Sequence, residues 1–451
     1  MGVQYVFSRK ARSSDTFILV ALCFALFTDT FVYGIIVPIL PFLLMDHGHT
    51  TEENVQQWTS LLLASYGGAL LVGSPVAGYL SDKYRARKAP LISGFVAIAL
   101  ATILFVSARS AWLLLVARVC QGLSGAVVGV LGLSMIAETA SPQNLGAYMA
   151  CGSTALTWGM LCGPMAGGFL FAKYGTMGAF GVPVALLVVD IVLRLMMVQG
   201  DEGKGKSPEA FAKDDPQENS PLLNDEPAEE DSLKFYHFLH PILLGVIFTV
   251  LAVSSILSAF ETTLPLYVIQ TYRWSSMGAG FVFLPLTIPS VLSIPIAHFV
   301  RRLKPRVVVV TGFVVMTIPM ICLRWTQANT ARHETILVTL LFIIGVCLAS
   351  VQAIIMGDVS NAVRRIERMY GIADEKSSGQ GRGYALCNMA FAAGQAVGPI
   401  AGGYIKHGLG WSVMTLFLGA LCLVAAVSSL FSISPEPPTE KAEDEMDCCE
   451  A

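Results

Sequence analysis

Residues 159–168 read Gly-Met-Leu-Cys-Gly-Pro-Met-Ala-Gly-Gly, and residues 394–403 read Gly-Gln-Ala-Val-Gly-Pro-Ile-Ala-Gly-Gly. Six of the ten positions are identical, and each pair is separated by 235 residues. A repeat in one register over this distance predicts a chain built from two duplicated halves in parallel orientation. Glycines recur every fourth residue in both copies, so they share a helix face. On such a face another backbone either packs tightly or slides.

Composition places the chain in a membrane. Of its 451 residues, 54% are hydrophobic and only 14% are charged, and the mean hydropathy is +0.63. A soluble domain carries about 25% charged residues, and the net charge of -3 is unlike that of a nucleic-acid-binding protein. Long continuous apolar runs argue against a β-barrel. Because no CxxC, HExxH or Walker-type sequence occurs, we expect no metal, no cofactor and no enzymatic activity.

The apolar runs predict twelve membrane-spanning helices, since each crossing needs about 20 apolar residues. They fall at 16–44, 57–80, 88–108, 111–137, 146–172, 177–198, 240–270, 276–300, 306–325, 335–361, 383–405 and 410–433. The expected fold is an all-α polytopic membrane protein with two pseudo-symmetric six-helix bundles, at 1–198 and 240–433. The acidic stretches 199–239 and 434–451 are predicted to be a disordered linker and tail.

Basic residues predict the orientation. With the N-terminus in the cytosol, 21 of the 29 lysines and arginines fall on the cytosolic side, six fall outside and two lie within spans. The positive-inside rule therefore favours a cytosolic location for both termini.

Two further motifs carry a family resemblance. Residues 78–88 read Gly-Tyr-Leu-Ser-Asp-Lys-Tyr-Arg-Ala-Arg-Lys, and residues 118–122 read Arg-Val-Cys-Gln-Gly. They resemble the Gly-x-Leu-x-Asp-Arg-x-Gly-Arg-Arg loop motif and the Arg-x-x-Gln-Gly signature of the major facilitator superfamily. The repeated Gly-Pro stretch resembles the motif of its antiporter branch. This resemblance covers all twelve spans and implies the major facilitator fold.

Within that superfamily the chain resembles the vesicular amine transporters and the fungal drug:proton antiporters. The resemblance rests on Asp29 with Ile-Val-Pro-Ile-Leu-Pro at 36–41, on Ala-Phe-Glu at 259–261, and on Val-Asp at 189–190. It implies that Asp29 and Glu261, the acids of the first and seventh spans, take part in amine recognition or coupling.

The sequence departs from the vesicular transporters at three positions. Tyr66 stands where they have a second-span lysine, and Ala349 and Asn388 stand where they have aspartates. Tyr66 and Asn388 remain candidate polar residues of a central cavity, although helix packing is an equal alternative for each.

Charged residues within spans are the strongest functional candidates, because an ionisable group in a membrane needs a partner or a watery cavity. Asp29 and Glu261 are expected to bind a proton or a cationic substrate. Arg118, with Gln121 on the same helix face, is expected to hold an anionic group or to neutralise a cavity acid. The alternative for each is a structural hydrogen bond or counter-ion. Asp190 and Arg194 are four residues apart and are predicted to form a structural ion pair.

Gating candidates come from the loop motif and the glycine repeat. Asp82 is expected to close the cytosolic face by pairing with Arg87 or a helix N-terminus, with Gly78 one turn earlier. The expected hinges of the repeat are Gly163-Pro164 and Gly398-Pro399.

These patterns predict a secondary transporter with alternating access, most simply a proton-coupled antiporter for a small organic molecule. A facilitator or proton symporter for uptake, and a receptor that no longer transports, remain alternatives. The expected partners are the substrate, protons and the lipid bilayer, with no nucleic acid, and the chain is expected to be a monomer in the plasma, vacuolar or vesicular membrane. Glu218, Leu222 and Leu223 fit an acidic dileucine signal for a sorting adaptor.

Overall fold

A computed structural model describes residues 14–46, 50–83, 88–140, 144–197, 240–291, 305–369 and 379–432. These residues form α-helices joined by short turns and two 3-10 helices, Glu52–Asn54 and Leu323–Trp325. The α-helices are α1 Asp15–Asp46, α2 Val55–Lys83, α3 Lys88–Ser107, α4 Ala111–Thr139, α5 Leu145–Met196, α6 Pro241–Tyr272, α7 Ser276–Phe281, α8 Leu284–Val291, α9 Pro305–Cys322, α10 Ala331–Met369, α11 Gly379–Leu409 and α12 Trp411–Ser432.

The predicted all-α membrane fold is confirmed. Among the described residues, nine helices are long and apolar enough to cross a membrane. Helix α5 is one of the nine but holds two predicted spans, because the chain turns at Gly175 (φ 64°) and continues as a second arm. Helices α7 and α8 form the described part of the predicted eighth span, and α11 coincides with the eleventh.

Proline and left-handed residues set several helix limits. Helix α6 begins with Pro241, which needs no hydrogen-bond donor at a first helical position. It ends at Tyr272, because the left-handed backbone of the next residue, Arg273 (φ 55°), stops the helix. At the start of α4, the Ser110 side chain accepts a hydrogen bond from the backbone of Leu113 and caps the helix.

The two glycine repeats make equivalent contacts. A Cβ atom on Gly163 would lie 2.9 Å from Cα of Gly34 in α1. The corresponding Gly398 meets Ser255 and Ser258 in α6. Each stripe thus packs its helix tightly against the first helix of its own half, which is the tight-packing alternative for these glycines.

The contacts between the halves described below extend from the middle of the bundle to the end where α1, α6 and α11 finish, which we call the closed end. On one side α2 packs against α11, where the backbone of Gly67 approaches Gln395. On the other side the first arm of α5 packs against α7, where Gly168 approaches Gly280. Helices α1 and α6 meet between these two sides. By the predicted topology, the closed end faces away from the cytosol.

Candidate functional site

Arg118 lies at the centre of the first half. Its side chain is fully buried, and Nη1 donates a hydrogen bond to Oε1 of Gln121 at 3.3 Å, three residues along α4. The amide of Gln121 in turn donates to Oγ1 of Thr102 in α3 at 3.1 Å. Arg118 and Gln121 share one helix face, as their spacing predicts, and the chain of bonds fixes how the guanidinium group is oriented.

Aromatic rings enclose the Arg118 guanidinium. Its Cζ atom lies 5.5 Å from the ring centre of Tyr33, 5.6 Å from that of Tyr66 and 5.8 Å from that of Phe105. The two tyrosine rings are themselves 4.7 Å apart. Cation–π attraction offsets part of the cost of burying this charge. The Nε and Nη2 atoms of Arg118 are buried and have no hydrogen-bond partner among the described residues.

Glu261 joins the two halves. The Tyr33 hydroxyl of α1 donates a hydrogen bond to Oε2 of Glu261 in α6 at 2.6 Å. Tyr33 therefore contacts both charged groups, with its hydroxyl on the Glu261 carboxyl group and its ring beneath the Arg118 guanidinium.

Asp29 has different surroundings. A Cβ atom placed on Gly125 of α4 would lie 3.0 Å from the Tyr66 hydroxyl oxygen and 3.2 Å from Oδ1 of Asp29. Asp29 and Tyr66 therefore converge over Gly125, inside the first half, and the absence of a side chain there leaves room for both. The two acids are not equivalent, because only Glu261 bonds across the halves.

The remaining cavity candidate is not joined to this cluster. Asn388 is exposed on α11, and no hydrogen bond of the described residues connects it to Asp29, Glu261 or Arg118. The sequence placed Asn388 beside the others because it occupies the position of an acid in a resembling family, which says nothing about direct contact.

Asp190 and Arg194 come together as the spacing predicts. Both side chains are fully buried, and Nη2 of Arg194 lies 4.0 Å from Oδ1 of Asp190. The same nitrogen donates to the backbone carbonyl of Ala21. This contact ties the second arm of α5 to α1.

The predicted gating residues divide into three groups. Gly163 and Gly398 pack within their own halves, whereas the carbonyl oxygen of Pro164 lies near Gly280 of the other half. Gly78 faces open space. Asp82 belongs to α2 but its side chain, like Arg87 and the dileucine residues Glu218, Leu222 and Leu223, lies outside the described residues.

Sequence reasoning missed two residues. Tyr33 looked like one apolar-run aromatic among many, and only the fold brings it to Glu261. Lys406 is one of the six basic residues that the topology predicts outside the cytosol. Its Nζ atom donates to Oε1 of Gln56 at 2.9 Å and to the carbonyl of Thr263 at 3.1 Å, linking the halves at the closed end. A lysine within an apolar helix end was the only available signal.

The family model described as the Major Facilitator Superfamily matches residues 22–374 and 376–447, which is nearly the whole chain. The chain belongs to the major facilitator superfamily. It is therefore a multi-pass integral membrane transporter and not an enzyme.

Three similar proteins agree with this assignment. An uncharacterized MFS-type transporter of Schizosaccharomyces pombe is 28% identical over 93% of this chain and 96% of its own length. The synaptic vesicular amine transporter of Homo sapiens is 25% identical over 88% of this chain and 70% of its own. A solved bacterial homolog of the human lysosomal transporter Spinster has the same fold, with a TM-score of 0.68 at 13% identity over 94% of this chain and 99% of that one.

Proposed function

We propose that this transporter is a proton-coupled antiporter that exports or sequesters a small organic molecule with a cationic group. The hydrogen bond between Tyr33 and Glu261 carries the proposal, because it puts an ionisable carboxyl group on a contact between the halves. A vesicular amine transporter among the relatives supports an amine as the cationic group.

Glu261 is the proposed exchange site. An ionised carboxylate accepts a strong hydrogen bond from a hydroxyl group, so Glu261 without a proton favours the closed end observed here. A cationic group that enters from the opposite end competes with Tyr33 for the carboxylate. Once Glu261 has exchanged Tyr33 for this cation, one contact between the halves is lost and the closed end can open.

Proton coupling follows from the same competition. A carboxylate holds either a proton or a cation, so a proton arriving from the far side displaces the substrate and returns with the carrier. One charge moved across 100 mV supplies about 2.3 kcal/mol, which makes a single coupled proton useful.

Arg118 and Asp29 are the proposed recognition groups. The two unpartnered guanidinium nitrogens of Arg118 can donate to an acceptor atom of the substrate or to water. Asp29, half-buried beside Tyr66, supplies a second negative charge within the first half.

The test is proton release from reconstituted vesicles that are acidic inside. A panel of amines, organic acids and amphipathic drugs is added outside, and a trapped pH dye reports the gradient. We expect amines to dissipate the gradient in the parental chain. Glu261→Gln and Asp29→Asn should abolish that dissipation, whereas Glu334→Gln is the matched control because this acid bonds to Trp274 away from the site.

Three results would contradict the proposal. Undiminished proton release in both acid variants would show that Glu261 and Asp29 do not take part in proton coupling. Substrate equilibration without proton movement would make the protein a facilitator. Binding without any flux would favour a receptor.

A further inference from the structure

The closed end holds a second polar contact that the proposed exchange does not use. The half-buried ammonium group of Lys406, near the end of α11, binds the side chain of Gln56 in α2 and the backbone carbonyl of Thr263 in α6. The Gln56 amide also donates to the carbonyl of Thr262 at 3.2 Å. One lysine and one glutamine therefore connect three helices from both halves.

The acceptor carbonyls in α6 lie just before a proline. Pro265 has no backbone N–H, so the carbonyl of Glu261 loses its partner within the helix. This turn of α6 therefore has fewer internal hydrogen bonds than an ordinary helical turn. The carbonyls that Lys406 and Gln56 use belong to Thr262 and Thr263, which follow Glu261 directly in the chain.

The lysine has no acidic partner among the described residues. Its acceptors are neutral amide oxygens, so the bonds are charge-assisted on the donor side only. Such bonds stabilise a contact and still exchange with water, whereas a buried ion pair is costly to separate. This chemistry suits a contact that must open and close in every cycle.

We infer that Lys406, Gln56 and the carbonyls of Thr262 and Thr263 form a latch that holds the closed end shut and couples its opening to the occupant of Glu261. Lys406 is thus a positioning residue of the transport cycle and does not touch substrate. The inference rests on the proposed function for its link to Glu261, because a shift of the α6 turn that carries Glu261 moves both carbonyls. The latch geometry itself does not depend on what is transported.

Opening is measured with a buried reporter thiol. Thr262→Cys keeps the backbone carbonyl, and the side chain at this position is fully buried in the closed form. The purified full-length chain is incubated in detergent with a maleimide, and the chain without the reporter gives the background from native cysteines. We expect Lys406→Met to speed labelling about tenfold, as expected for losing bonds to a charged group. Lys173→Met is the matched control, since Lys173 is exposed and packs on Phe169 and Tyr174.

Gln56→Leu provides an independent variant, because it removes the acceptor from the other half and leaves the lysine in place. Faster labelling in Gln56→Leu supports the latch even where Lys406→Met does not fold. Labelling of both variants at the parental rate would overturn it. If labelling accelerates while the parental chain shows no proton-coupled flux, the latch stands and the proposed antiport fails, so the two failures are distinguishable.

Discussion

The two sides of the closed end are held together by different kinds of contact. Between α5 and α7, which we call the glycine seam, a Cβ atom on Gly280 would lie 2.5 Å from the carbonyl oxygen of Pro164, and one on Gly168 would meet the carbonyl of Ser276. Between α2 and α11 the backbones also approach each other, midway along both helices, at Gly67 and Gln395. Nearer the closed end, at what we call the polar seam, a Cβ atom on Gly403 would meet the side chain of Ser60. Backbone meets backbone at the glycine seam, and side chains mediate the contact at the polar seam.

The difference indicates separate roles. A backbone contact is possible only because glycine lacks a Cβ atom, and it contains no side chain that can rotate away. The glycine seam therefore suits a fixed axis about which the two halves turn. Side-chain hydrogen bonds form and break by rotation, so the polar seam suits a contact that opens. The repeat predicts two equal sides, yet the residues opposite each repeat differ.

The largest effect is expected at the glycine seam. Gly168→Ala puts a methyl group against the backbone of α7, and overpacking of this kind costs ~3 kcal/mol when nothing can move aside. We expect a lower thermal unfolding temperature in detergent and accelerated labelling of the Thr262→Cys reporter. Gly129→Ala is the control, because a Cβ atom there meets nothing within 4 Å. Equal behaviour of the two variants would show that the seam is not tight.

A smaller effect is expected between the seams. Tyr33→Phe removes the bond to Glu261 but keeps the ring against Arg118, and a hydrogen bond to a charged group contributes ~2 kcal/mol. Reporter labelling should therefore rise, and amine-dependent proton release should fall. Tyr66→Phe controls for loss of a hydroxyl group in the same ring system. A larger rise in labelling for Tyr66→Phe would mean that the contact between the halves lies elsewhere.

At the polar seam a glycine-to-alanine substitution should destabilise the contact less, and a second substitution should rescue it. Gly403→Ala displaces the Ser60 hydroxyl, which can rotate, and presses on the Ser60 Cβ atom at 2.8 Å, so the cost is ~1.5 kcal/mol. Adding Ser60→Gly removes the obstructing atoms and should restore the labelling rate of the reporter in a double-variant cycle. Failure of this rescue would erase the distinction between the seams.

The smallest effect sets the baseline. Gly78→Ala adds a methyl group into open space on α2. The free energy of unfolding should therefore change by no more than ~0.5 kcal/mol, with a correspondingly small shift of the thermal unfolding temperature. A large loss of transport without a change in unfolding would show that the loop motif uses Gly78 in a conformation other than this one.

Local patterns predicted the fold because each membrane helix is visible in the sequence as a long continuous apolar run. Apolar runs gave most of the helices within a few residues of their observed ends, but α10 continues eight residues past the predicted 361, and the described part of the eighth span is two short helices. The spacing of Asp190 and Arg194 gave their ion pair. The spacing of Arg118 and Gln121 likewise placed them on one helix face, although their hydrogen bond to each other was not predicted. Each of these features depends on neighbours within a single helix.

Contacts between helices could not be predicted from the sequence, for a physical reason. Tyr33 and Glu261 are separated by 228 residues, and Gln56 and Lys406 by 350. No periodicity connects such positions, and their partners are identified only once both halves are in place. The one long-range pattern available, the glycine repeat, predicted which faces pack but not what they pack against.

The turn at Gly175 has a consequence for how the chain is made. A single left-handed residue reverses the direction of α5, so its two arms are joined with almost no polar loop between them. Backbone groups in a bilayer must find partners within their own segment, and a reversal this short leaves few of them without one. We expect the two arms to enter the membrane together as a helical hairpin during synthesis. A long polar insertion at 175 would then separate their insertion into two steps.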